Sequence, residues 1–297
     1  MKLCFNSAEN ILIHSDGEIS KCCVCWIIKK IKPVKFQIPI NQCEKICNIK
    51  CKKIEIVDIL LNYECIENCK CCGGYDIFKN SEKKELNINN IMDTLEFLIS
   101  NCKDIKKIQI GAYFDSSSNV KNLTTLINLI TEKYDLKITV FHTGIVSLKE
   151  TEKLLTEKSI NNTVFFININ GVKEIHDMYK PNSFDIIYNN ISKNKKLNIT
   201  LSCLIFEESL KYLNEIFHNL SELSNNVNKI EIKIDNFIER LTKKSIVKIL
   251  SNLKAFYFFN KDNILDNKVK NALIEYLNSN AEKARFALKR NRELKLK

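Results

Sequence analysis

The sequence predicts an α/β fold: a partial (β/α)6 TIM-like barrel preceded by a small cysteine-rich module. Three observations carry that expectation. From residue 54 onward, strand-like and helix-like runs alternate, the order that right-handed βαβ units around a parallel sheet produce. Several of the strand-like runs are apolar on both faces, as strands covered on both sides are. Eleven of the thirteen cysteines lie at or before position 72, which sets the first part of the chain apart.

Residues 1–53 hold seven cysteines and no long helical stripe. Within them Asn10-Ile-Leu-Ile-His14, then Ser15-Asp16-Gly17-Glu18, then Ile19-Ser-Lys-Cys22 reads as a β-hairpin around an Asp-Gly turn. Strand-like runs follow at Ile54 to Leu61, Ile108 to Tyr113, Leu136 to Phe141, Thr163 to Ile169, Leu197 to Phe206, Lys229 to Ile234 and Ala255 to Phe259. Apolar positions recur at three and four residues between them. One set is Ile88, Ile91, Met92, Leu95, Leu98 and Ile99, and another is Val120, Leu123, Ile127 and Ile130. Further sets are Leu210, Leu213, Ile216, Phe217 and Leu220, then Ile246, Ile249, Leu250 and Leu253. Each stripe gives a helix one apolar face for core packing. Ser147-Leu-Lys-Glu150 is a capping box that opens the intervening helix. About six units, fewer than a closed eightfold barrel, place an open barrel over 54–264, with a basic helix over 265–297 beside it. In such sheets the ligand site lies at the carboxyl ends of the strands.

The composition narrows the class. The 297 residues are 45% hydrophobic and 27% charged, as in globular proteins. No apolar run of about 18 residues appears, so no membrane helix is expected. Met1-Lys-Leu-Cys-Phe-Asn-Ser7 lacks the apolar core of a signal peptide, so the chain reads as cytoplasmic. Disulfides are disfavoured there, and thirteen cysteines then point to metal or cluster binding. The net charge is +11, but the lysines are dispersed among Asn and Ile. That is the residue usage of an AT-rich genome, and it does not call for a nucleic-acid partner. The basic run Lys283 to Lys297 reads as a solvated helix end.

Directly after the first barrel strand stands Cys65-Ile-Glu-Asn-Cys69-Lys-Cys71-Cys72. Its Cys-x3-Cys-x2-Cys spacing brings three soft thiolate ligands within eight residues, the donors that hold iron–sulfur clusters. Three protein ligands on a four-iron cluster leave one iron open to a non-protein ligand. A zinc knuckle would instead show paired arms of Cys-x2-Cys or His, and the chain has only four histidines.

The loop and its place after the first strand resemble the radical SAM family. The resemblance implies that Cys65, Cys69 and Cys72 hold a 4Fe-4S cluster whose open iron is chelated by S-adenosylmethionine (SAM). It further implies that an electron, from a donor such as flavodoxin or ferredoxin, cleaves SAM to a 5′-deoxyadenosyl radical. The residue before the third cysteine, usually aromatic in that family, is Cys71 here. Gly73-Gly74 follows and lets backbone approach a bulky ligand.

Other segments extend the resemblance. Gly111-Ala-Tyr-Phe-Asp115 stands where the family's Gly-Gly-Glu receives the amino group of SAM. Gly111 matches and Asp115 is displaced, leaving the backbone carbonyls of Ala112 and Tyr113 as candidates; an ordinary strand-to-helix turn is the alternative. Phe165-Phe-Ile-Asn-Ile-Asn-Gly171, followed by His176-Asp177, is similar to the family's fourth-strand pattern, which implies SAM contacts from Asn168 and Asn170. His176 and Asp177 are expected to cap or orient a helix. On the fifth strand Ser202 and Cys203 are adjacent, so only one of them faces the barrel interior. An interior Cys203 could give a hydrogen atom to a substrate radical, as in peptide epimerases; otherwise it is a small buried hydrophobe. Asp235 closes the sixth strand and could accept a substrate proton, or it is a cap or ion-pair partner.

In the first module, Cys4-x12-Gly17-x4-Cys22 and Cys43-x3-Cys47-x3-Cys51 are similar to the SPASM and twitch domains, which carry auxiliary clusters beside radical SAM barrels. Here the module precedes the barrel. The resemblance implies a second 4Fe-4S cluster held by Cys4, Cys22, Cys43 and Cys47, with Cys51 and Cys23 in reserve; a zinc-stabilised module is the alternative. A core of about 50 residues needs such a staple either way. The function implied is SAM-dependent hydrogen abstraction from a substrate, a peptide or protein first and a small molecule second. The rival readings are a non-catalytic zinc or iron–sulfur protein that binds nucleic acid, and a degenerate radical SAM fold.

Overall fold

The computed structural model describes residues 10–13, 16–17, 19–21, 55–61, 86–101, 104–111, 118–234, 243–260 and 266–278. Its strands are β1 (Asn10–Ile13), β2 (Ile19–Lys21), β3 (Ile56–Ile59), β4 (Lys107–Ile110), β5 (Lys137–His142), β6 (Thr163–Ile169), β7 (Asn198–Ile205) and β8 (Lys229–Ile234). They lie in the order β2-β1-β3-β4-β5-β6-β7-β8. Strands β3 to β8 form the six-stranded parallel α/β sheet, open and barrel-like. The helices between them are α1 (Ile88–Asn101), α2 (Val120–Lys133), α3 (Leu148–Leu154), α4 (Glu157–Asn162), α5 (Lys173–Tyr179), α6 (Phe184–Ser192), α7 (Leu213–Leu223) and α8 (Lys243–Asn260), with α9 over 267–278. The chain divides into two compact units, Met1–Phe166 with Lys195–Asn198, and Ile167–Asn194 with Ile199–Lys297.

In the first unit the hairpin forms as the Asp-Gly signal predicts, with β1 antiparallel to β2. It also joins the sheet, because β1 pairs in parallel with β3, Ile13 opposite Ile59. Lys21 therefore ends β2 opposite Ile11, toward the amino end of β1 and β3. The register sorts the side chains into two faces. Val57 pairs with Ile108 and Ile108 with Ile138, while Ile59 pairs with Ile110 and Ile110 with Val140. All six are at most 1% exposed, and with the buried stripes Ile91, Leu95, Leu98 of α1 and Leu123, Ile127, Ile130 of α2 they make this unit's core. Each such side chain contributes roughly 1.5–3 kcal/mol on burial. The other face is polar: Asp58, Gln109 and Thr139 stand in one register row. Helix caps are in place: Ser147 Oγ accepts the Glu150 amide at 3.3 Å, Asn119 Oδ1 the Asn122 amide at 3.0 Å and Thr156 Oγ1 the Ser159 amide at 3.2 Å.

In the second unit β7 and β8 are parallel with Cys203 opposite Ile232 and Ser202 opposite Glu231. Ile216, Phe217 and Leu220 of α7 are buried, and the Phe217 ring stacks on Phe256 at 4.6 Å. One predicted strand is wrong. Ala255 to Phe259 lies in the last turns of α8. A five-residue apolar run does not distinguish strand from helix by itself. Here the buried positions Ile249, Leu253 and Phe256 keep the three-and-four spacing begun at Ile246, so the run continues the helix. The helix expected from Leu265 is present over 267–278, with Val269, Ala272 and Leu273 buried; residues 279–297 lie outside the described residues.

Candidate cofactor and substrate site

The cysteines predicted to bind clusters, Cys65, Cys69, Cys72, Cys4, Cys22, Cys43 and Cys47, lie outside the described residues, as do Ala112, Tyr113 and Asp235. Among the described residues no three His, Cys, Asp or Glu side chains are grouped to hold a metal ion. What the structure describes is the strand ends and the sheet face around them.

In the first unit, Gly111 directly follows β4. Its N–H donates to the Ile59 carbonyl at 3.0 Å, and it turns the chain at φ +75°, a conformation glycine adopts without strain. Gly111, the first residue of the expected SAM-contacting segment, thus stands beside the end of β3, the strand that precedes the Cys65 motif in the sequence. On the polar face Asp58 is 2% exposed, and its Oδ1 has no hydrogen-bond partner. Burial pushes its carboxyl up to about 6, against a smaller opposing pull from Lys107. Residue order alone does not single out Asp58. The available signal is one acid alternating with isoleucine and valine in a strand that feeds the cysteine loop. His142 ends β5 with its Nδ1 accepting the Gly144 amide at 2.9 Å and its ring edge toward Phe165 at 6.0 Å. Nε2 then carries the proton and is buried without a partner, and burial lowers the imidazole to about 4.

In the second unit, Asn168 stands half-buried on the face opposite Ile167 and Ile169. Asn170, one residue past β6, is 0% exposed, and neither its Oδ1 nor its Nδ2 has a partner. Its backbone is held instead, because the Asn170 N–H donates to His176 Nδ1 at 3.0 Å. Asp177 Oδ1 accepts the amides of Ser183 at 3.1 Å and Phe184 at 3.0 Å, so the expected orienting role of His176 and Asp177 has a physical form. Gly171 takes φ +76°, and a Cβ there would meet the Ile216 side chain at 2.7 Å, so a larger residue would be strained and would have to displace Ile216. Of the adjacent pair on β7, Cys203 shares its face with buried Ile230 and Ile232, while Ser202 shares its face with Glu231. Cys203 receives a hydrogen bond from the Gly171 backbone, and burial raises its thiol to about 12. Ser202 Oγ is buried without a partner.

An implied cofactor can be tested against these residues. SAM offers hydroxyl, amine and carboxylate groups. The unpaired carboxamide of Asn170 can both donate and accept, which suits the polar groups of such a ligand. For a cluster, the donor chemistry of the Cys65, Cys69 and Cys72 thiols fits.

The fold class is a partial TIM barrel of the kind found in radical SAM enzymes. Solved structures similar to the chain include native anSMEcpe with bound S-adenosylmethionine, at 13% identity and TM-score 0.55, covering 71% of this chain and 64% of that one. A hexahistidine-tagged anSMEcpe with bound S-adenosylmethionine is similar at 16% identity and TM-score 0.53, covering 71% and 61%. Native anSMEcpe with bound S-adenosylmethionine and the Kp18Cys peptide is similar at 13% identity and TM-score 0.54, covering 71% and 63%. The chain thus spans somewhat less than two thirds of these structures' length, and at such identities the likeness is one of fold. No protein-family profile matches the sequence, and no curated protein matches it. Among the described residues no helix is long and apolar enough to cross a membrane.

Proposed function

We propose that the protein is a radical SAM enzyme. The observation that carries the reading is the position of the Cys65-x3-Cys69-x2-Cys72 trio, directly downstream of the first parallel strand of an open barrel similar to SAM-bound anSMEcpe. Bound at that trio, a 4Fe-4S cluster would supply the electron that cleaves SAM to a 5′-deoxyadenosyl radical. The chain's own residues bind, orient and shield. The turn at Gly111, with the carbonyls of Ala112 and Tyr113, receives the amino group of SAM. Asn168 and Asn170 hold its polar groups from the end of β6. The polar row Asp58, Gln109 and Thr139 provides hydrogen-bonding positions on the sheet face beside β3. Asp235, which follows β8 in the sequence, is the candidate to take up a substrate proton. The position of Cys203 on the apolar face favours packing over hydrogen donation.

A peptide or protein is the substrate class we favour, since the peptide complexes of anSMEcpe share this fold, with a small molecule as the alternative. Flavodoxin or ferredoxin is the proposed electron donor. Cys4, Cys22, Cys43 and Cys47 are the proposed ligands of a second cluster. The experiment is anaerobic iron–sulfur reconstitution. The wild type is expected to take up iron and to form 5′-deoxyadenosine from SAM and a reductant. Replacing Cys65, Cys69 and Cys72 by alanine should abolish both. A preparation that holds zinc and leaves SAM intact overturns the reading.

A further inference from the structure

We propose that His176 is a positioning residue that sets SAM affinity through the backbone of Asn170. The inference rests on the radical SAM reading and deepens it. Buried polar groups in folded proteins are nearly always paired, yet both heteroatoms of the Asn170 carboxamide are buried and unpaired. The backbone of the same turn, by contrast, is held by hydrogen bonds. The Asn170 N–H donates to His176 Nδ1 at 3.0 Å, which requires that nitrogen to be bare. The proton therefore sits on Nε2, which donates to Ser183 Oγ at 2.9 Å, and the Ser183 hydroxyl donates onward to the Lys180 carbonyl at 2.8 Å. The ring also meets Phe184 edge-on at 5.6 Å. Asp177 pins the same turn through the amides of Ser183 and Phe184, and Lys173 pairs with Asp177 at 3.4 Å.

On the other side of Asn170, a Cβ at Gly171 would meet the Ile216 side chain. The backbone of Asn170 is thus held at the residue and constrained after it, while its buried side chain has no hydrogen-bond partner among the described residues. A rigid backbone presenting an unpaired donor and acceptor is a preorganised half-site. Among the described residues it is the imidazole whose side chain holds that backbone.

The two ring nitrogens can be separated by substitution. His176→Asn keeps an acceptor where Nδ1 stands and loses the Ser183 contact. His176→Gln keeps a polar group near the place of Nε2 and loses the Asn170 contact. Ser183→Ala removes only the outer partner. SAM affinity is measured by equilibrium dialysis on the anaerobically reconstituted full chain, beside iron content and thermal midpoint. The expected result is a Kd within about threefold of wild type for His176→Asn and Ser183→Ala, and about tenfold weaker for His176→Gln. Asn170→Ala should weaken binding about as much, and adding His176→Gln to it should weaken binding little further. Equal losses for His176→Asn and His176→Gln, or full additivity with Asn170→Ala, overturn the positioning role alone. A wild type that holds its iron and binds no SAM overturns this role and the radical SAM reading together.

Discussion

Thr94 Oγ1 donates to the carbonyl of Gly17 at 2.8 Å, tying the turn of the β1–β2 hairpin to helix α1. Asn90 adds a second tie, its Nδ2 donating to the Asp16 carbonyl at 3.1 Å. Gly17 takes φ +88°, and a Cβ there would stand 2.7 Å from Asn90 Cβ and 2.8 Å from its backbone. Gly17→Ala therefore combines backbone strain with a steric clash and should cost about 2 kcal/mol or more. Thr94→Val, which removes the hydroxyl and keeps the shape, should cost about 1 kcal/mol. Chemical denaturation of both variants checks the order. Equal stability of Gly17→Ala and wild type would mean that the hairpin is not docked on α1.

Cys203 is 0% exposed on the apolar face of β7, beside the Gly171 backbone. If packing is its work, Cys203→Ala loses the sulfur's contacts and leaves a small void, at about 1–2 kcal/mol. The yield of 5′-deoxyadenosine and of any substrate-derived product should stay near wild type. Cys203→Ser places a hydroxyl among apolar side chains and should be the less stable of the two. Product formation that fails in Cys203→Ala while SAM cleavage persists would restore a hydrogen-donor role for the thiol.

Most of the sheet is legible in the sequence because strand and helix periods differ. Thr163 to Ile169 and Lys229 to Ile234 match their strands to the residue, each bounded by turn-forming or polar residues. Ile108 to Tyr113 overlaps β4, Lys107–Ile110, and Gly111 after it takes a positive φ; Ala112 and Tyr113 lie outside the described residues. Ala255 to Phe259 misleads because its apolar density hides the helical spacing that runs through it. Asp58 and His142 are not legible as site residues. A lone polar residue in an apolar strand shows its face only once a neighbour's register is known, and here that comes from Gln109 opposite Asp58. The same limit applies to Ser202 and Cys203, whose faces are separated by Glu231 and Ile232 on the next strand. Asn170 is legible as a polar strand end, but the clamp on its backbone depends on the tertiary placement of His176.

Asp58 gives a pH signature that no exposed carboxylate shares. Its folded value, about 6, lies above the ordinary aspartate value of 3.8, so the folded state holds the proton more tightly than the unfolded chain. The sign follows: this group's stabilisation is fully present below about pH 4 and is lost as pH rises toward about 6. The total is on the order of 3 kcal/mol. Asp58→Asn cannot ionise. Its stability relative to wild type should therefore improve by that amount between pH 4 and pH 7, whatever the offset at pH 4. Urea titrations of both proteins across that range supply the measurement, and parallel curves would show that Asp58 is solvated.

His142 and His176 pull the other way over the same window. Each is lowered by burial to about 4 from 6.5, and each needs a bare Nδ1 to accept a backbone N–H, from Gly144 and Asn170 respectively. The unfolded chain protonates these rings first, so their stabilisation is present above about pH 6.5 and is lost as pH falls toward 4, on the order of 3 kcal/mol for each ring. Two losses then oppose the single gain at Asp58, and these three groups together should destabilise the protein on acidification by a few kcal/mol. Asparagine at either histidine keeps an acceptor for the backbone N–H and removes the titration. His142→Asn should flatten the acid limb by about one ring's share, and the double variant with His176→Asn by about twice that, because the two sites share no partner. With both rings replaced, Asp58 is left to act unopposed, and the double variant should lose less stability on acidification than wild type. A double variant that unfolds in acid with the wild-type slope would place the sensitivity in other groups and refute the buried, neutral state of both imidazoles.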